Sequence, residues 1–136
     1  MFESHFQTEF DGGHLVLDAH RHHFRVRVRC VGELDDRGPT RGMVVDFRLL
    51  ATLLDTRIRR QLEGFMLVDE AEVDAMAGID QLEGLPLKRV PFRPTVEHLA
   101  HWCFEQVTEG LSPRHADKVE SVEVWENERC MAAFCR

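Results

Sequence analysis

The chain has 136 residues, of which 43% are hydrophobic and 30% are charged. This length suits one domain over residues 1–136, and the composition excludes disordered and fibrous classes. A net charge of −7 argues against nucleic acid as a partner. No apolar stretch approaches the ~18 residues of a membrane span, and the N-terminus lacks a signal-peptide pattern, so we expect a cytoplasmic protein without a membrane partner. The four cysteines form no C-x-x-C pair and are interpreted as small buried hydrophobes.

Two strands are predicted at the start of the chain. Phe2, Phe6 and Phe10 alternate with polar residues, and the first strand is expected to end in a turn at 11–13. A second alternating strand is predicted from Ala19 to Gly32. The two strands are expected to form a hairpin.

The centre of the chain predicts two helices separated by an irregular segment. The first helix runs from Phe47 to about Glu63 after the N-cap Asp46, and the second begins after Thr95 and ends before Gly110. Between them we expect short strands at 65–68 and 86–92 and an acidic helical turn at 69–76. A second hairpin, with strands at 118–126 and 129–135, completes the chain.

The predicted order is strand, strand, helix, helix, strand, strand. It indicates an α+β fold with an antiparallel sheet and both helices on one face. The second strand carries Arg25, Arg27 and Arg29 on its other face. That face is covered by another subunit or faces water, and the pattern leaves both open.

Eight histidines are present, and four of them lie between positions 14 and 23. His20 and His22 share one face of a predicted strand, ~7 Å apart, which suits two ligands of one tetrahedral ion. The hairpin brings His14 beside them. Three imidazoles with an open position are typical of catalytic zinc. The alternative is a pair of histidines that face solvent or are satisfied in the core.

Several segments together resemble the 6-pyruvoyltetrahydropterin synthase family, which includes the 6-carboxytetrahydropterin synthases of the queuosine pathway. They are His14 after a Phe-x-x-Gly segment and, in order, residues 19–26, 42–47 (GMVVDF), 94–100 (PTVEHLA) and 122–126 (VEVWE). The resemblance covers nearly the whole chain. It implies the T-fold, a four-stranded antiparallel sheet with two helices on one face. It also implies a homo-oligomer, a hexamer built as a dimer of trimers, with sites between subunits.

The same resemblance implies a site and an activity. His14, His20 and His22 correspond to the zinc ligands, and Glu126 to the carboxylate that accepts hydrogen bonds from the pterin. Thr95 lies where the family lines its pocket, although a helix N-cap is an equal interpretation. The implied substrate is a small pterin-like molecule.

Two departures from the family affect the catalytic groups. Family synthases carry a catalytic cysteine shortly before the H-x-H motif, but only residues 15–19 separate His14 from His20 here. The family's catalytic Asp-His pair aligns with Glu63 and Gly64. The chain is therefore a divergent member that lacks both elements.

Three residues are candidates to replace the missing groups. Asp18 precedes His20 by two residues and is a candidate base, or a turn aspartate that faces water. Glu63 is a second candidate, and His98, where the family has asparagine, is a third or a surface histidine. Two main functions follow: a zinc-dependent carbon–oxygen or carbon–carbon lyase acting on dihydroneopterin triphosphate or a related pterin, and an altered or inactive T-fold protein that binds zinc and a pterin-like ligand. A changed reaction on a related bicyclic substrate is a third.

Overall fold

A long antiparallel hairpin forms the centre of the sheet in the computed structural model, which describes residues 1–72 and 78–136. Strands β1 (Phe2–Val16) and β2 (Asp18–Gly32) pair along their full length, from Phe2 opposite Gly32 to Val16 opposite Asp18. Leu17 makes the turn with a φ of 66°. The predicted turn at 11–13 is wrong, because β1 continues through both glycines. The hairpin itself is confirmed, and it places His14 opposite His20.

The first predicted helix is confirmed in its extent but is not α-helical throughout. Helix α1 (Phe47–Leu53) continues as a π-helical segment (Leu54–Arg59) and a final turn, α2 (Arg60–Leu62). Its start follows the prediction, because the Asp46 side chain accepts a hydrogen bond from the Arg48 N–H at 2.9 Å. Gly64 follows the helix with a φ of 78°.

The remaining elements follow the predicted order, with additions. They are β3 (Met66–Asp69), β4 (Gln81–Leu82), β5 (Leu85–Val90), α3 (Val96–Glu109), α4 (Pro113–Ala116), β6 (Val119–Trp125) and β7 (Met131–Cys135). Strand β4 and helix α4 were not predicted. The acidic turn predicted at 69–76 lies partly outside the described residues; within them, Glu70–Glu72 form a 3₁₀ turn.

Within residues 1–72 and 78–136, seven strands form one sheet in the order β4-β5-β3-β1-β2-β6-β7. Strands β1, β2, β6 and β7 are the four antiparallel strands that the T-fold requires. Strand β3 adds to β1 in parallel, and β5 adds to β3 in parallel. The α+β T-fold is therefore present, and short strands from the irregular segment extend it.

The core lies between one face of the sheet and the helices. The sheet contributes alternate residues of β2 and β6, and the helices contribute one apolar stripe each. The buried members include Phe24, Val26, Val28, Val122, Val124, Leu50, Leu54, Ile58, Leu99, Cys103 and Val107. Of the four cysteines, Cys30 and Cys103 are buried as expected, whereas Cys130 and Cys135 are exposed. No helix among residues 1–72 and 78–136 has the length and apolarity to span a membrane.

The opposite face of the central strands carries ion pairs. Arg29 pairs with Glu3, and Arg25 Nε lies 3.4 Å from Glu9 Oε1. Both pairs join β2 to β1 and are partly exposed, so each contributes little to stability. Two arginines of the row for which the sequence left a covering subunit and solvent both open are thus paired within the chain.

A buried carboxylate connects the loop before α1 to the junction of α4 and β6. Asp35 accepts hydrogen bonds from Thr40 Oγ1 at 2.6 Å and Lys118 Nζ at 3.2 Å, and it lies 3.1 Å from His115 Nε2. These contacts, that of Thr40 first, hold the pKa of Asp35 well below its usual range. His115 is therefore a structural partner of this loop.

Candidate metal centre

His14 is a buried histidine whose orientation is set by the start of α3. Its side chain is 4% exposed, and Nδ1 lies 2.8 Å from the carbonyl oxygen of Pro94. A carbonyl only accepts, so neutral His14 carries its proton on Nδ1 and directs the Nε2 lone pair into the site. Such a backbone partner is typical of histidines that bind metals.

Two further side chains approach His14 Nε2. Glu126 Oε2 lies 3.2 Å from His14 Nε2 and 3.7 Å from His22 Nε2. The three ligand atoms lie within 4.8 Å of one another. Burial, and then the nearby His14 ring, lowers the pKa of His22. This favours neutral imidazole, the form that binds a metal.

His20 lies at the rim of the same concavity. It lines a space of about 230 Å³ together with His14, His22, Glu126 and Val16. Its ring centre is 6.4 Å from that of His14 and 5.9 Å from that of His22. The three predicted histidines thus line one concavity, but among residues 1–72 and 78–136 only His14, His22 and Glu126 have ligand atoms within 4.8 Å of one another. Glu126 is the carboxylate that joins them.

A second concavity of about 390 Å³ adjoins the first, and His22 and Glu126 line both. Its other lining residues are Glu9, Arg21, His23, Arg25, Trp125, Asn127 and Glu128. The Arg25 guanidinium lies 5.6 Å from the centre of the Trp125 ring. This space lies where β2 extends beyond its pairing with β6, which begins at Arg25 and Trp125. It combines an aromatic ring with polar groups, as small-molecule sites commonly do.

Close strand packing explains the glycine that precedes His14. A Cβ on Gly13 would lie 2.7 Å from the His20 carbonyl oxygen and 2.6 Å from Met66 Cε. Neither distance is tolerable for a carbon atom. Glycine therefore lets β1 approach β2 and β3 closely at the point where the histidines meet.

The other predicted site residues lie away from this cluster. Asp18 is exposed at the first residue of β2, and neither it nor Glu63 lines the two concavities. Glu63 accepts a hydrogen bond from Arg59 NH1 at 2.9 Å. His98 Nδ1 donates to the Arg93 carbonyl oxygen at 2.7 Å.

Thr95 serves as the N-cap of α3, as one of its two interpretations predicted. Its Oγ1 accepts a hydrogen bond from the His98 N–H at 3.2 Å. The capped helix start in turn presents the Pro94 carbonyl to His14. The contact of Thr95 with a substrate stays a prediction.

Sequence reasoning missed two features of the cluster. The Pro94 carbonyl belongs to the backbone and has no side-chain signature. The approach of Glu126 to the histidines had a detectable signal, because Glu126 continues the alternation of the buried Val122 and Val124. That alternation predicts an inward carboxylate beside the strand that carries His22.

The donor set fits a zinc ion. Two imidazole nitrogens and a carboxylate oxygen are ordinary zinc ligands, and His20 supplies a further nitrogen within the same concavity. The same set also suits other first-row divalent metals.

The fold and this cluster define an α+β T-fold protein with a candidate metal centre between β1, β2 and the end of β6. The family model "6-pyruvoyl tetrahydropterin synthase" matches residues 3–136. The chain belongs to that family, as its sequence motifs predicted.

Individual relatives agree with the family assignment. The chain is 26% identical over 146 residues to a 6-carboxy-5,6,7,8-tetrahydropterin synthase of Haemophilus influenzae, covering 99% of this chain and 97% of the relative. It is similar in fold to the 6-pyruvoyl tetrahydropterin synthase of Caenorhabditis elegans, with a TM-score of 0.68, 16% identity and coverage of 99% and 95%. An uncharacterized protein of Wolinella succinogenes also has a TM-score of 0.68, with 22% identity and coverage of 100% and 99%.

Proposed function

We propose that this chain is a zinc-dependent lyase that processes a pterin, with dihydroneopterin triphosphate or a close relative as substrate. The observation that carries this proposal is the convergence of His14 Nε2, His22 Nε2 and Glu126 Oε2 within 4.8 Å. Membership of a tetrahydropterin synthase family supports the pterin. The name of the Haemophilus influenzae relative supports the same class of product.

His14, His20 and His22 would hold the zinc ion. When bound there, zinc supplies a Lewis acid that polarises a carbonyl or hydroxyl oxygen of the substrate side chain. The chain itself contributes the orientation of His14 through Pro94. Burial of His22 preserves its neutral form.

Glu126 would bind the pterin ring. A carboxylate accepts two parallel hydrogen bonds, which matches the amino group and ring N–H of a pterin. Glu126 lines both concavities, so a ring in the larger one would extend its side chain toward the histidines. The Trp125 ring offers an apolar surface in that larger space.

Proton transfer in such a reaction requires a base near the substrate. Asp18 shares the strand face of His20 and His22, and we retain it as the candidate base. Like Glu63 and His98, however, Asp18 lies outside both concavities of its own chain. Their proposed roles therefore depend on the assembly of a hexamer, in which a neighbouring subunit contributes to each site.

Two observations support the proposed hexamer and the proposed cytoplasmic location. The partly charged outer face of β1 and β2 offers a surface for trimer formation, and all four cysteines are free thiols, as a reducing compartment requires. A single domain over residues 1–136 is the proposed subunit.

The second candidate function is binding of a ligand without catalysis. It is favoured by the absence of the family's cysteine before the H-x-H motif and by Gly64 at the family's histidine position. In that case the protein binds zinc and a pterin-like ligand without turnover.

A turnover assay tests the lyase proposal. Zinc-loaded protein is incubated with dihydroneopterin triphosphate, and the products are identified by mass spectrometry. We expect loss of triphosphate from the side chain and a decrease in rate of about 100-fold or more in His22→Ala, because one metal ligand is removed. His101→Ala is the matched control, because His101 lines neither concavity. Its Nε2 lies 3.1 Å from Glu105 Oε1, and its ring stacks on Phe134. An unchanged pterin with zinc-loaded protein, or equal rates in His22→Ala and wild type, contradicts the proposal.

A further inference from the structure

We infer that Glu126 is itself a ligand of the metal while no substrate is bound, and that a pterin releases this carboxylate from the metal. The inference rests on the proposed metal site and adds a regulatory step to it. Glu126 would thereby hold the coordination position that a three-histidine zinc leaves to water.

The positions of three atoms carry the first half of this inference. The same oxygen, Glu126 Oε2, lies 3.2 Å from His14 Nε2 and 3.7 Å from His22 Nε2. Hydrogen bonding to a pterin does not by itself explain why this carboxylate oxygen faces two histidine nitrogens. The His20 ring is farther from that of His14, at 6.4 Å between centres.

The hydrogen-bonding roles of these atoms call for a cation. His14 donates from Nδ1 to the Pro94 carbonyl, so its neutral form presents a lone pair at Nε2 to a carboxylate that also only accepts. Two facing acceptors in a partly buried space repel each other. A proton relieves one such pair, whereas a divalent cation binds the carboxylate and both imidazoles at once.

The second half follows from the position of Glu126 between the two concavities. Its side chain is 23% exposed, and it lines the histidine space and the adjacent larger space. The N–H groups of a pterin in the larger space compete with the metal for the same carboxylate. Pterin binding therefore frees a coordination position near the substrate side chain.

Cobalt substitution tests both halves, because visible Co²⁺ absorption reports the ligand set directly. We compare the wild type, Glu126→Gln and the control Glu109→Gln, which makes the same charge change at an exposed residue at the end of α3 that lines neither concavity. Glu126→Gln is expected to change the Co²⁺ spectrum and to weaken Zn²⁺ binding by about 10-fold or more in competition with a chromophoric chelator. Glu109→Gln should match the wild type in both measurements. Neopterin should shift the Co²⁺ spectrum of the wild type and leave that of Glu126→Gln unchanged.

Each contrary result has a separate meaning. Spectra and affinities that are the same in Glu126→Gln and the wild type overturn the inference and leave the histidine site intact. A wild-type spectrum that neopterin does not change, in protein shown by fluorescence to bind it, overturns the release step. Absence of metal binding by the wild type overturns this inference together with the proposed metal site. Confirmed cobalt behaviour without turnover supports the inference and removes only the lyase proposal.

Discussion

Zinc affinity is expected to fall by at least about 100-fold when His14 is replaced by alanine. His14 is the most buried member of the cluster, and its ring is oriented by the Pro94 carbonyl. Its replacement removes one proposed ligand and leaves Glu126 without its nearer histidine. Neither His20 nor His22 can take its place, because both lie on β2 and approach the site from the other strand.

Competition with a chromophoric chelator measures this change. The control is His101→Ala, which removes an exposed histidine whose described contacts are with Glu105 and Phe134. Equal zinc affinities in the wild type and His14→Ala would contradict the proposal that His14 is a metal ligand. Circular dichroism confirms that both variants remain folded.

The largest loss of stability is expected for Phe24→Ala, at about 3–5 kcal/mol in the free energy of unfolding. Phe24 is 1% exposed and stacks on Phe10 with ring centres 5.3 Å apart. The centre of its ring also lies 5.5 Å from the ring centres of His14 and His22, at interplanar angles of 90° and 77°. The substitution opens a cavity at the boundary between the core and the candidate metal centre.

Urea unfolding of the metal-free protein measures this loss. Phe47→Ala is the matched control, since its side chain is 49% exposed and its removal should cost about 1 kcal/mol or less. A loss in Phe24→Ala no greater than that in Phe47→Ala contradicts the role of Phe24. The same cavity should also weaken zinc binding, because the ring supports both histidines.

The regular parts of the fold followed from local sequence patterns. Alternation predicted β2 and β6, and the N-caps Asp46 and Thr95 gave the starts of both long helices. The error at Gly12 and Gly13 has a physical cause. Glycine marks a turn when φ is positive, but at Gly13 it marks a close approach of backbones that no local pattern records.

The candidate site was predicted only in part, because local sequence patterns do not record contacts between residues that are far apart in the chain. His14, His20 and His22 are close in sequence, and a hairpin of two strands brings them together. Glu126 and Pro94 reach them from more than 70 positions away in the chain, across β6 and the start of α3. The resemblance to a family supplied Glu126, but its contact with the histidines required the three-dimensional structure.

Anomalous diffraction at the zinc edge, from crystals of zinc-loaded protein soaked with a pterin, tests the central claim most directly. We predict one peak per chain, ~2 Å from the Nε2 atoms of His14 and His22, with the pterin amino edge against the Glu126 carboxylate. A peak elsewhere, no peak in crystals that contain zinc, or a pterin bound away from Glu126 would contradict it.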